Sequence, residues 1–244
     1  MMSNARSFPA GAAGTFRLGG DLTVNRLGYG AMRITGKGVW GVPEDKAGAI
    51  ATLRRAAELG VNFIDTADSY GPGTSEELIA EALHPYPAGV VIATKGGWLR
   101  PGPAQWTHNA SPAHLREALE GSLKRLRLER IDVYQLHVPD PAVSFDASVE
   151  TLARLREEGK IRHVALSNVA LAYIERARRI VPIVSVQNRY SFADREWDHV
   201  IDHCEQHNIG FMPWAPLGQV RFANDALDKA ARTLNATPTQ VGLA

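Results

Sequence analysis

The chain has a single cysteine, Cys204, in 244 residues. One thiol excludes an internal disulfide framework and any cysteine-rich zinc module. No run of about 18 apolar residues occurs, so no segment reads as a membrane-crossing helix. Neither sign of charge is in excess: 27 Lys+Arg stand against 26 Asp+Glu, a formal net charge of +1. That balance gives no electrostatic footprint for nucleic acid or for an anionic membrane surface. Low-complexity tracts and linkers are lacking. MMSNARSFPAGAAG (1–14) has no apolar block of signal-peptide length and reads as a loose, disordered tail. These absences make a cytoplasmic location the default expectation, with residues 15–244 forming one domain. At 45% hydrophobic composition, a chain of this length buries about three quarters of its unfolded surface.

What is present is alternation. Seven apolar runs read as strands: LGYGAM (27–32), VNFIDTA (61–67), VVIATKG (90–96), VYQLHV (133–138), HVALSN (163–168), VSVQNRY (184–190) and GFMPWAP (210–216). They are β-branched or apolar throughout, as strands buried on both faces are. Amphipathic stretches separate them. EDKAGAIATLRRAAELG closes on Gly60, and SEELIAEAL starts on Ser75 as its expected cap. SPAHLREALEGSLKRL opens with Ser111 as cap and Pro112 at the first helical position. DASVETLARLREEGK, LAYIERARRI, DREWDHVIDHCEQHN and ANDALDKAARTLNA follow.

Such alternation implies a parallel α/β sheet, either open and doubly wound or closed into a barrel. The open dinucleotide-binding sheet calls for a third glycine after Gly28-Tyr29-Gly30. Ala31-Met32-Arg33 stands there instead, and no phosphate loop occurs. A barrel predicts polar residues at the carboxyl ends of successive strands. Asp65 ends the second run, Lys95 the third and His137 the fourth. Ser167-Asn168 end the fifth, Gln187-Asn188 the sixth, and Trp214 lies in the seventh.

The chemistry of this set is specific. A lysine drawn into a barrel needs a counter-charge, and Asp65 is one strand away. Tyr70 follows Asp65 in the same loop. Held beside Lys95, its pKa is expected to fall below the usual value of about 10, so that it donates a proton near neutral pH. His137 can hydrogen-bond and orient a carbonyl oxygen. No nucleophile–base pair is apparent and no side chain supplies electrons, so carbonyl reduction here requires a nicotinamide. His163 reads as structural. His199, His203 and His207 recur every four residues, but Trp197, Val200, Ile201 and Cys204 mark that helix's buried stripe, and no metal is expected. Trp98 and Trp106 read either as a lid or substrate wall or as packing within their own loop. KRLRLER (124–130) reads as cover for the outer end of a helix.

FIDTADSYG (63–71), VIATKGG (91–97), YQLHVPD (134–140), ALSNV (165–169) and VQNRYS (186–191) stand in the order of the aldo-keto reductase motifs, and the chain resembles that family. The resemblance implies catalytic roles for Asp65, Tyr70, Lys95 and His137. It implies that Ser167, Asn168 and Gln187 hold the nicotinamide carboxamide and that Trp214 stacks on the nicotinamide. Pro216, Leu217 and Gly218 would begin the loop around the pyrophosphate, and TFRLGGDLTV (15–24) would be the hairpin that plugs the barrel. NADPH/NADP+ is the implied cofactor, and an aldehyde or ketone the substrate. SEELIAEALHPYPAGVVIATKGGWLRPGPAQW (75–106) is most similar to a bacterial subgroup related to pyridoxal reductases.

Two other classes fit parts of the pattern. A cofactor-binding sensor or regulatory subunit, or an inactive truncated reductase, fits the fold; the complete tetrad argues against a lost activity and leaves a sensor open. A metal-dependent barrel hydrolase would want H-x-H on the first strand, and LGYGAM has none. TPTQVGLA (237–244) resembles the middle of the family's seventh barrel helix. The expected fold is therefore a TIM-type (β/α)8 barrel with an N-terminal β-hairpin, seven core strands present, and the eighth strand and last helix missing, as in a truncated chain. The first and seventh strands would then carry unpaired edges. In the family the missing region holds the adenosine 2′-phosphate, so NADH is left open beside NADPH.

Overall fold

The computed structural model describes residues 9–218 and 225–244. Seven parallel strands form one sheet: β1 (Tyr29–Gly30), β2 (Phe63–Asp65), β3 (Val91–Gly96), β4 (Ile131–Leu136), β5 (Ile161–Ser167), β6 (Ile183–Arg189) and β7 (Gly210–Trp214). They are hydrogen-bonded in chain order from β1 to β7. A doubly wound sheet reverses its strand order at a switch point; an unbroken order is that of a barrel wall. Helices α1 (Lys46–Glu58), α2 (Thr74–Leu83), α3 (Pro112–Leu126), α4 (Phe145–Glu157), α5 (Leu171–Arg178) and α6 (Asp198–Gln206) return the chain between strands, and α7 (Asp225–Leu234) and α8 (Pro238–Leu243) follow β7. Among the described residues there is no eighth strand, and no ladder joins β7 to β1. The fold is a (β/α)8-type barrel lacking that strand, with β1 and β7 as open edges.

The strands divide their side chains between two cores with the period of two that a pleated strand imposes. Phe63, Val91, Ala93, Val133, Ala165 and Val184 pack inside the barrel. Their neighbours Ile64, Ile92, Tyr134, Val164 and Leu166 pack outward with helix residues such as Leu53, Leu78, Leu115, Leu119, Val149 and Ile174. Continuous apolar runs are needed because both faces are buried.

An antiparallel hairpin, Thr15–Leu18 paired with Leu22–Asn25, closes one end. Leu18, Leu22 and Val24 join the inner cluster, with Phe16 against it. Its turn fixes glycine at position 19, where φ is +60° and an added Cβ would come within 2.3 Å of the His163 ring. His163 Nε2 lies 2.6 Å from Asp21 Oδ1, so this histidine ties the plug to β5.

Ser111 caps α3 with Pro112 at its first position, as expected; the structure adds a cap at α1, where Asp45 Oδ1 accepts from Gly48 N. Other local expectations need correction. Ser75 is not the cap of α2: the helix starts at Thr74 after left-handed Gly73. The Ser75 hydroxyl instead donates to Ala31 O at 3.0 Å and accepts from Thr66 at 2.8 Å, stitching α2 to the loops after β1 and β2. LGYGAM gives only two strand residues before a 3-10 turn over Ala31–Ile34. Ala10–Ala13, placed in the loose tail, form another such turn, with Ala10 N bonded to Leu59 O. TPTQVGLA opens a helix rather than continuing one. Thr237 and Gln240 form a reciprocal capping box and Pro238 takes the first helical position, a signature already present in T-P-x-Q.

KRLRLER does more than cover a helix end. Arg125 Nε reaches Glu76 Oε2 at 2.7 Å, and the Glu76 side chain is fully buried. Thr94 donates to its other oxygen. Removing Arg125 leaves a buried carboxylate without its cation, at a cost of about 3 kcal/mol. Arg125→Ala should therefore lower Tm by roughly 10 °C, and Glu76→Gln in the same chain should restore most of that loss in a thermal melt.

Candidate active site

The polar residues continue the inward positions of the strands. Asp65 lies two residues beyond Phe63, Lys95 two beyond Ala93, Gln135 two beyond Val133 and Ser167 two beyond Ala165. The period that builds the apolar inner core thus also places a polar layer directly above it. Lys95 is fully buried. Its Nζ donates to Asp65 Oδ2 at 2.7 Å and to Thr66 O at 2.8 Å. Asp65 Oδ1 accepts from Gln135 Nε2 at 2.8 Å. Burial alone would lower the Lys95 pKa, but Asp65 and Tyr70 outweigh it and raise the net value. The ammonium therefore stays charged.

Tyr70 is buried, with Lys95 Nζ 5.2 Å from its ring centre. The His137 ring lies 5.7 Å away, edge to face. Burial pushes the Tyr70 phenol up, the Asp65 and Asp68 charges add to this, and the pull of Lys95 is too small to reverse it. This corrects the expectation of a lowered phenol pKa. Lys95 does favour phenolate, more than Asp65 opposes it, but the cost of burying that charge outweighs its pull. Burial, followed by Lys95, drives His137 well below the usual imidazole range. A neutral imidazole keeps one N–H to donate; its Nδ1 lies 3.5 Å from Ser69 Oγ.

Across the mouth, Asn168 links three strand ends. Its Nδ2 donates to His137 O and to Ser167 Oγ, both at 3.0 Å, and its Oδ1 accepts from Trp214 Nε1 at 3.0 Å. It does so from a left-handed backbone, φ +57°, which asparagine tolerates better than most residues. Gln187 is 4% exposed, and its amide has no hydrogen-bond partner among the described residues. A partially exposed indole and a side-chain amide left without a protein partner among the described residues fit a flat ring bearing a carboxamide. Pro216 and Leu217 lead to Gly218, whose N–H closes a turn onto Ala215 O at 2.7 Å. The loop they begin continues outside the described residues.

Trp98 and Trp106 both border the tetrad. Trp106 is edge-on to Tyr70 at 6.5 Å, and Trp98 lies 6.3 Å from His137 while stacking on His108 at 4.3 Å. They form a wall. On α6, Val200 and Cys204 are buried as the stripe requires, His203 joins them, and burial pushes the Cys204 thiol up to about 11. No group of three metal-ligating side chains occurs among the described residues.

Sequence reasoning missed Gln135 and Asp68, although both stand inside the quoted motifs. Gln135 looked like one more strand residue, and only the barrel's curvature brings it to Asp65. Burial, then the nearby Glu76 charge, raises Asp68 to about 8, and its Oδ1 has no partner. The folded state holds this proton more tightly than the unfolded chain. Asp68 therefore contributes stability below about pH 4 that is lost as pH rises toward 8. Asp68→Asn should remove that slope, raising Tm at pH 8 by a few degrees and leaving it nearly unchanged at pH 4; melts across this range provide the check.

Comparison with known proteins agrees with this geometry. The aldo/keto reductase family matches residues 26–241. An uncharacterized oxidoreductase of Schizosaccharomyces pombe is 45% identical over 236 residues, covering 96% of this chain and 76% of that protein. Pyridoxine 4-dehydrogenase of Escherichia coli is 42% identical over 240 residues, covering 96% and 84%. The crystal structure of an aldo/keto reductase from Klebsiella pneumoniae in complex with NADP and acetate superposes with a TM-score of 0.78 at 27% identity, covering 94% of this chain and 79% of that one. The chain belongs to the aldo/keto reductase family and is a nicotinamide-dependent oxidoreductase.

Proposed function

We propose that the protein reduces an aldehyde or ketone to an alcohol with NADPH, and that Tyr70 is the proton donor. The observation that carries this reading is the buried Lys95–Asp65 pair beneath the Tyr70 ring, with neutral His137 against it. A nicotinamide supplies the hydride when bound. Ser167, Asn168 and Gln187 would hold its carboxamide, Trp214 would cover its ring, and Pro216, Leu217 and Gly218 would open the loop around its pyrophosphate. The NADP-bound Klebsiella structure supports that choice of cofactor.

The Tyr70 side chain holds its proton on Oη through the neutral range and releases it to the developing alkoxide. Lys95 steadies the phenolate left behind, Asp65 and Gln135 keep Lys95 in place, and the His137 N–H orients the carbonyl oxygen. Trp98 and Trp106 exclude water from one side. The similarity to pyridoxine 4-dehydrogenase and the aromatic wall make pyridoxal-type aldehydes the first substrates to try. A cytoplasmic location and a single barrel domain over residues 15–244 complete the reading.

General-acid catalysis is worth about 10²–10⁴ in rate. Tyr70→Phe should cut kcat at least about a hundredfold while leaving NADPH affinity nearly intact. Equal loss of cofactor binding would remove the role assigned to Tyr70. Because the phenol is raised above its usual value, reduction by the unaltered enzyme should stay flat with pH through neutrality and fall only in the alkaline range. NADPH should also quench tryptophan emission through Trp214; a quench that survives Trp214→Ala would count against stacking there.

A further inference from the structure

Arg100 lies in the loop after β3 and is 8% exposed, yet no carboxylate among the described residues pairs with it. Its guanidinium is satisfied by main-chain carbonyls. Nε donates to Gln105 O at 2.8 Å, Nη1 to Val39 O at 2.9 Å and Ser69 O at 3.1 Å, and Nη2 to Gly38 O at 2.8 Å. Those carbonyls belong to the loops after β1, β2 and β3. The guanidinium carbon lies 3.7 Å from the Trp106 ring centre and 5.8 Å from that of Trp40.

A second observation concerns what this side chain holds. Val39 is β-branched but sits at φ +56°, a conformation such residues rarely adopt. Its carbonyl is held by Arg100 and by Gly71 N at 3.3 Å. Val39, Ala67 and Tyr70 form one buried cluster, with Met32 and Trp106 packed on it. Arg100 also bonds the carbonyl of Ser69, the residue next to Tyr70. A strained backbone, an aromatic wall and the tyrosine ring thus share one anchor.

We infer that Arg100 is a positioning residue for the reduction: it clasps three loops so that Val39 and Trp106 fix the Tyr70 ring and shape the wall facing the substrate. The inference rests on the role proposed for Tyr70. A planar fork suits this task because it reaches four carbonyls with its carbon 3.7 Å from an indole ring centre, whereas a lysine ammonium is a point charge. Arg100→Lys should therefore not be conservative.

The test uses the full chain with Arg100→Lys and Arg100→Ala. A misplacement of about 1 Å can cost about a hundredfold. On that scale, kcat/KM for an aromatic aldehyde should fall about tenfold in Arg100→Lys and about a hundredfold in Arg100→Ala. NADPH affinity, read by tryptophan quenching, should change less than about twofold, because Arg100 touches none of the cofactor-side residues. Ethylguanidinium at about 10 mM should restore turnover to Arg100→Ala, whose vacated site accepts a planar fork, and not to Arg100→Lys. A readout independent of turnover is amide exchange, which should accelerate at 38–41 and 105–107 in both variants and stay unchanged in α4 and α5. Unchanged exchange in those loops, or wild-type kcat/KM in both variants, overturns the clasp. Accelerated exchange throughout the barrel together with lost cofactor binding overturns it too, since Arg100 would then only support the fold. If the wild-type chain itself turns over no aldehyde, the functional proposal fails, and the exchange comparison still decides the clasp.

Discussion

A fully buried lysine ammonium cannot be left without a partner, because an uncompensated charge in an apolar interior is far too costly. Lys95 satisfies this with Asp65 and the Thr66 carbonyl, and Gln135 occupies the remaining oxygen of Asp65. Those contacts require β2, β3 and β4 to keep their register, since a one-residue slip would turn each group to the helix side. Once the pair is in place, the electrostatics around it follow. Burial outweighs the pull of Lys95 on the Tyr70 phenol, while burial and the same ammonium keep His137 uncharged. Both groups are thereby set up to donate hydrogen.

Why chemistry belongs to one end of this barrel is a matter of what fills the other. The hairpin inserts Leu18, Leu22 and Val24 beneath the inward residues of the strands, and His163 and Asp21 fasten it. With apolar side chains packed below, the inward positions of the described residues that face an opening are those at the carboxyl ends. There the chain places polar groups in place of valine and alanine. The opposite faces of the same strands are committed to the helices, where the Glu76–Arg125 pair and Thr94 form a second buried polar link.

Above the polar layer, the loops are organised by aromatic rings and backbone carbonyls rather than by ion pairs. Trp98, Trp106 and His108 border the tetrad on one side. Arg100 gathers the loops behind them. A wall built this way adds no further carboxylate to Asp65 and Asp68, whose charges already favour the protonated phenol.

The sequence by itself determined a great deal here. Apolar runs without alternation, separated by capped amphipathic stretches, specify strands buried on both faces, and their polar ends mark Asp65, Lys95, His137, Ser167 and Gln187. Tertiary structure decided the rest, because the remaining properties depend on distance and burial rather than on residue type. Ser75 resembled a cap but serves as a stitch, since Gly73 can adopt the left-handed turn that starts α2 one residue earlier. Arg125 resembled a surface charge until Glu76 was found buried opposite it. Gln135 and Arg100 carried no signal in sequence, as their partners lie in other strands and loops. The direction of the Tyr70 pKa needed the fold for the same reason: a sequence shows that a lysine is near, and only the fold shows the phenol buried deeply enough for desolvation to outweigh that lysine's pull.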